Sequence, residues 1–134
     1  IAYDPFVAQH PVAAMKSLDE VLATSDYLSL HTPLTEDTRG MINAAAIAKM
    51  KRGVIIINTG RGKVVVEEDL AAALATGHVA AYGTDVWYSD PPDPHSPLLS
   101  APNVLMTPHI GASSKENLLR IGDEVVAILE NFKG

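Results

Sequence analysis

The sequence predicts an α/β fold built on a parallel sheet. Short apolar, β-branched runs alternate with amphipathic or alanine-rich ones along all 134 residues. The links between them are short, which calls for crossover helices and right-handed β-α-β connections. The length suits one domain with its own core rather than two.

Taken in order, "IAYD" (1–4) reads as a strand ending in an acid. Residues 17–24, "SLDEVLAT", read as a helix, with Ser17 and Glu20 spaced as a capping box. "YLSLH" (27–31) alternates and stops at Thr-Pro, as a strand does. "NAAAIAKM" (43–50) is alanine-rich behind a capping Asn43, hence helix, and Gly53 follows as a breaker. "VIIIN" (54–58) reads as a strand buried on both faces. "EEDLAAALATG" (67–77) has acids in its first turn and glycine at its end, so it reads as a helix. "VAAYGTDVW" (79–87) is another strand, and the proline-rich "SDPPDPHSP" (89–97) is a loop. "NVLMTPH" (103–109) is a strand running into a turn, and 113–132 is a long amphipathic helix with a serine cap.

Composition narrows the function. With 47% hydrophobic and 19% charged residues the chain is globular, not disordered. A net charge of −6 argues against a general nucleic-acid surface, which needs a basic stripe to displace counterions. Without cysteine there are no disulfides and no thiolate metal sites, which fits a reducing compartment such as the cytoplasm. No apolar run approaches the ~20 residues of a membrane span. The chain starts on "IAYD" with no initiator methionine and reads as a fragment.

In open parallel sheets, ligands bind beyond the carboxyl ends of the strands. The residues there are Asp4, then His31, Thr32 and Pro33, then Asn58 to Arg61, then Asp85, then His109. Five strands delivering polar groups to one end point to a binding site. The loop "NTGRGK" (58–63) raises the question of a phosphate cradle. A P-loop would need glycine at Ile57 and Ser or Thr at Val64, and a dinucleotide fingerprint would need glycine at Val65. Both fail. Gly60 and Gly62 then read as turn glycines whose positive φ aims Arg61, and Lys63 as an ordinary loop residue.

Arg61 is either a solvated loop residue or a planar fork gripping a carboxylate. His109 is either a structural hydrogen-bonder or a proton donor that titrates near neutral pH. Asp90 is either a turn acid or the carboxylate that orients His109 and favours its imidazolium.

The stretches "YDPF", "SDYLSLHTPLTEDTRGMIN", "MKRGVIIINTGRGKVV", "DLAAALATGHVAAYGTDVW" and "SPLLSAPNVLMTPHIGAS" together resemble the D-2-hydroxyacid dehydrogenases, D-3-phosphoglycerate dehydrogenases among them. The resemblance spans essentially the whole chain. It implies a Rossmann-like, doubly wound parallel sheet and an NAD-dependent oxidoreductase acting on a small 2-hydroxy or 2-oxo acid. By motif, Asp4 would bind the adenosine ribose and favour NAD over NADP, and Thr32 and Pro33 would line that side of the cleft. Thr59, Gly60, Gly111 and Ala112 would contact the cofactor, and Asp85 the nicotinamide carboxamide. Arg61 would hold the substrate carboxylate, His109 would be the acid/base and Asp90 its partner. His31 matches a common family residue, with no catalytic role assigned. Asp90 is a departure, since the family usually has glutamate there. "DVW" also resembles the formate dehydrogenases of the same superfamily, which pair the histidine with glutamine, so Asp90 speaks against that branch.

The resemblance implies that residues 1–134 would be an incomplete NAD-binding domain from its second strand onward, with the first strand, its glycine-rich loop and the substrate domain lacking. In the order 3-2-1-4-5-6 the missing strand is central. Strands 1–4 and 27–31 are then expected on one side of it and the other three on the far side. Unpaired edges at the gap imply a homodimer or swapped assembly. Two function classes follow: part of a dehydrogenase, or a non-catalytic module of the same fold, corepressor-like or an isolated half-domain.

Overall fold

The computed structural model describes residues 1–132. Four strands form one parallel sheet in chain order: β1 (Tyr27–Leu30), β2 (Val54–Asn58), β3 (Val79–Thr84) and β4 (Val104–Met106). The helices are α1 (Leu18–Thr24), α2 (Ala44–Ala48), α3 (Glu67–Ala75) and α4 (Lys115–Asn131). Both serine caps form. Ser17 accepts from the Glu20 amide while Glu20 takes the Ser17 amide, closing the capping box. Ser114 caps α4 through the Asn117 amide, and Asn43 caps α2 through that of Ala46. Gly77 takes positive φ just past the end of α3, and Gly53 takes it in the turn that enters β2, where glycine costs least.

Strand register divides the sheet into two unlike faces. Leu28, Ile56 and Tyr82 lie side by side, as do Leu30 and Asn58, then Thr84 and Met106. That face carries the core: Val21 and Leu22 of α1, Ile47 of α2, and Leu70 and Leu74 of α3 all join its cluster. The neighbours on the other face are Tyr27, Ile55, Ile57, Ala81, Gly83 and Leu105. Tyr27 and Leu105 are 73% and 75% exposed, and the residues between them are only half-buried. Thus β2, expected to be buried on both faces, is sealed on one. Helix α4 leaves Leu118, Leu119, Ile128 and Leu129 exposed and has no buried residue.

Two expectations are corrected. Residues 1–4 do not form a sheet strand. Ala2 makes a single parallel bridge with Met15, through hydrogen bonds to Ala14 and Lys16, apart from the sheet. One bridged pair lacks the neighbouring strand on which a ladder would grow. Segment 27–31 does not stand apart from the last three strands either. As β1 it pairs directly with β2, and its other edge is open. No helix among the described residues is long and apolar enough to cross a membrane, and no group of three metal-ligating side chains occurs among them.

Candidate active site

The site begins at Asn58, the last residue of β2 and completely buried. Its side chain folds the loop that follows. The Oδ1 atom accepts from the Gly60 amide at 3.0 Å, and Nδ2 donates to the Arg61 carbonyl at 3.1 Å. Its backbone carbonyl accepts from Asp85 N at 3.1 Å, tying the end of β2 to the end of β3. A buried amide with both ends satisfied gives the loop one conformation. Sequence reading placed Asn58 at a strand end but gave it no role. An amide at the terminus of an apolar strand, just before Thr-Gly, is the signal that was available.

The glycines of this loop do a different job from the expected one. Neither Gly60 nor Gly62 is among the residues with positive φ. They are needed for close approach. A Cβ on Gly60 would lie 2.9 Å from the Thr32 carbonyl oxygen, and one on Gly62 would fall on the Trp87 carbonyl. Gly60 thus docks the loop on the end of β1, and Gly62 docks it on the segment after β3. Between them Arg61 is exposed, and its Nη1 donates to the Gly60 carbonyl at 2.8 Å.

Asp85 organises the opposite wall. One carboxylate oxygen accepts from the Thr107 hydroxyl and from Ile110 N at 2.9 Å, and the other accepts from Gly111 N at 2.7 Å. The Thr107 hydroxyl, with the Ile110 amide next, holds its pKa below the ordinary value. These bonds close a turn in which His109 takes a φ of +57°. The Trp87 indole pins the same turn by donating to the Thr107 carbonyl at 3.2 Å. The His109 Nδ1 lies 3.5 Å from an Asp90 carboxylate oxygen, with both side chains largely exposed. The shorter aspartate therefore reaches the histidine, at the outer range of an ion pair.

Two clefts meet here. The smaller, about 280 Å³, is lined by Leu34, Lys63, Trp87 and Asp90 together with Arg61 and His109. The larger, about 700 Å³, is lined by Thr59, Asp85, Thr107, Gly111, Ala112 and Asn117, again with Arg61 and His109. Of the sequence candidates, Thr59, Arg61, Asp85, Asp90, His109, Gly111 and Ala112 thus come together, and Gly60 underlies them. Asp4, Thr32 and Pro33 line neither cleft. Asp4 sits in an exposed turn and accepts from Phe6 N at 2.8 Å, and Thr32 reaches the site only as the backbone beneath Gly60. His31 bonds through both ring nitrogens, to Ser29 at 2.9 Å and to Thr59 at 3.2 Å, which joins β1 to the loop after β2. Lys63, Trp87 and Asn117 were missed as lining residues. Each lies two to five residues from a recognised position, and only the loop folds bring it in.

Residues 1–111 match the model of the NAD-binding domain of D-isomer specific 2-hydroxyacid dehydrogenases. The chain belongs to that family. A hydroxypyruvate reductase of Blautia hydrogenotrophica is 44% identical over 98% of this chain. A D-3-phosphoglycerate dehydrogenase of Archaeoglobus fulgidus is 42% identical over 91% of it. This chain spans 42% of the first relative's length and 24% of the second's. The structure of an NAD-dependent formate dehydrogenase from Staphylococcus aureus, in complex with NAD, superposes with a TM-score of 0.86. The two are 36% identical, covering 97% of this chain and 40% of that one. The parallel sheet is therefore that of the family's Rossmann-type cofactor domain, seen in part.

Proposed function

We propose that this chain is the NAD-binding part, incomplete at the first strand, of a dehydrogenase that interconverts D-2-hydroxy acids and 2-oxo acids. One observation carries the reading: among the described residues, Arg61 and His109 are the only two that line both clefts. A small acid in one cleft and a nicotinamide in the other would meet at a permanent cation and a proton carrier.

The larger cleft fits a dinucleotide end. Gly111 lines it without a side chain, and Thr59 and Asn117 bring polar groups to it. Asp85 already accepts three hydrogen bonds, which leaves a carboxylate acceptor site for a carboxamide donor. Thr59, Gly60, Gly111 and Ala112 form the surrounding surface, and Asp4, Thr32 and Pro33 are assigned to the adenosine side. The bound nicotinamide would supply or accept the hydride. Arg61 grips the substrate carboxylate with its fork and stabilises the charge that grows on the carbonyl oxygen. His109 gives that oxygen a proton in reduction and takes it back in oxidation. Asp90 faces the imidazole at 3.5 Å and orients it. The aspartate supports a 2-hydroxy acid rather than formate as substrate.

The open edge of β1 and the apolar surface of α4 support a homodimer. The absence of cysteine supports a cytoplasmic setting. A second reading, a non-catalytic binding module, draws on the uncovered sheet face. Assaying the natural protein that carries this chain separates the two. NADH oxidation coupled to a 2-oxo acid, with the D-hydroxy acid as product, is expected. NAD binding without turnover would favour the module.

A further inference from the structure

The small cleft holds one cation more than a simple 2-oxo acid needs. Lys63 follows Arg61 by two residues, lines the same cleft and is half-buried. Its backbone is fixed. The Lys63 carbonyl accepts from Gly40 N at 2.9 Å, and the adjacent Val64 is completely buried. Its ammonium stands 5.2 Å above the centre of the Tyr88 ring. An aromatic face holds a cation without cancelling its charge, unlike a carboxylate. Among the described residues no ion pair involves Lys63, and Asp90 is the only acid that lines the cleft and faces His109. With His109 protonated, Arg61, Lys63 and His109 oppose the single Asp90 charge, an excess of two positive charges. A monoanionic substrate neutralises one of them.

We propose that Lys63 is a second anion-binding cation of this cleft, selecting 2-oxo acids that carry a further anion beyond the carbonyl carbon. The inference rests on the reading above, in which Arg61 takes the substrate carboxylate. A dianion would match the charge of the cleft, and about 280 Å³ accommodates a small acid of this kind. The second anion is a carboxylate or a phosphate, and the two are separable by experiment.

The test is steady-state reduction by the natural protein with NADH and three acids. One is monoanionic pyruvate, one is oxaloacetate with a second carboxylate, and one is a 3-phosphooxy-2-oxo acid. Lys63→Met keeps the stem over Tyr88 and removes the charge, and Lys63→Arg keeps the charge. In Lys63→Met, kcat/KM for at least one dianion should fall roughly 10–100-fold, chiefly through KM, with pyruvate changed less than about threefold. Lys63→Arg should retain most of the preference. The dianion that suffers identifies the group recognised. An equal loss on all three acids, or no loss on any, would overturn the assignment of Lys63 and leave Arg61 untouched. Failure of the unmodified protein to reduce any of the three would remove the underlying reading and this one together.

Discussion

Gly62 has no room for a side chain, because a Cβ would fall on the Trp87 carbonyl. The obstacle is backbone, so one of the two loops must move. Gly62→Ala should cost about 1–3 kcal/mol through overpacking. It should also loosen the segment that carries Asp90. Thermal denaturation checks the first effect, and an unchanged melting temperature would mean that the loops are not docked in solution. Asp85 makes a prediction in pH. Its folded-state pKa is depressed, so its contribution is present above the unfolded value of 3.8 and is lost as pH falls below it, through the folded value. Hydrogen exchange at the Ile110 and Gly111 amides reads this directly. Protection should hold at neutral pH and fall in acid. In Asp85→Asn it should already be low at neutral pH and show little pH dependence. Equal protection in the two proteins would rule out Asp85 as the anchor of the His109 turn.

Most elements could be read from the sequence because their signals are local. Ser17 with Glu20, Asn43 with its alanines and the apolar run of β2 each declare themselves within a few residues. Ser17→Ala should cost about 1 kcal/mol by opening the capping box, measurable by chemical denaturation. An effect near zero would show that α1 is held by Val21 and Leu22 alone. Non-local features were not legible. Residues 1–4 have a strand's composition, but pairing needs a neighbour, and Ala2 finds only Met15. The pairing of β1 with β2 depends on sheet order, which no local pattern encodes. Arg61, Asp85 and His109 stood out because their chemistry is unusual at strand ends. Lys63 and Asn58 did not, because their importance comes from a cleft and from a buried hydrogen-bond pair.

At the scale of the molecule, one face of a parallel sheet lies uncovered, although such sheets are ordinarily packed on both faces. Tyr27 and Leu105 lie on that face, and α4 exposes further apolar side chains. The isolated 134 residues should therefore self-associate. Light scattering across a concentration series should show mass rising with concentration, and a monomer throughout would show that this surface is tolerated in water. The site does not depend on that face, because its parts come from the ends of β2, β3 and β4 and the loops between them. We propose that Arg61 and His109 receive the substrate where the two clefts join. The most direct measurement is kcat/KM for 2-oxo acid reduction by Arg61→Lys in the natural protein. Lysine keeps the charge but loses the fork, so the value should fall on the order of 100-fold. Turnover close to that of the unmodified protein would contradict the role given to Arg61.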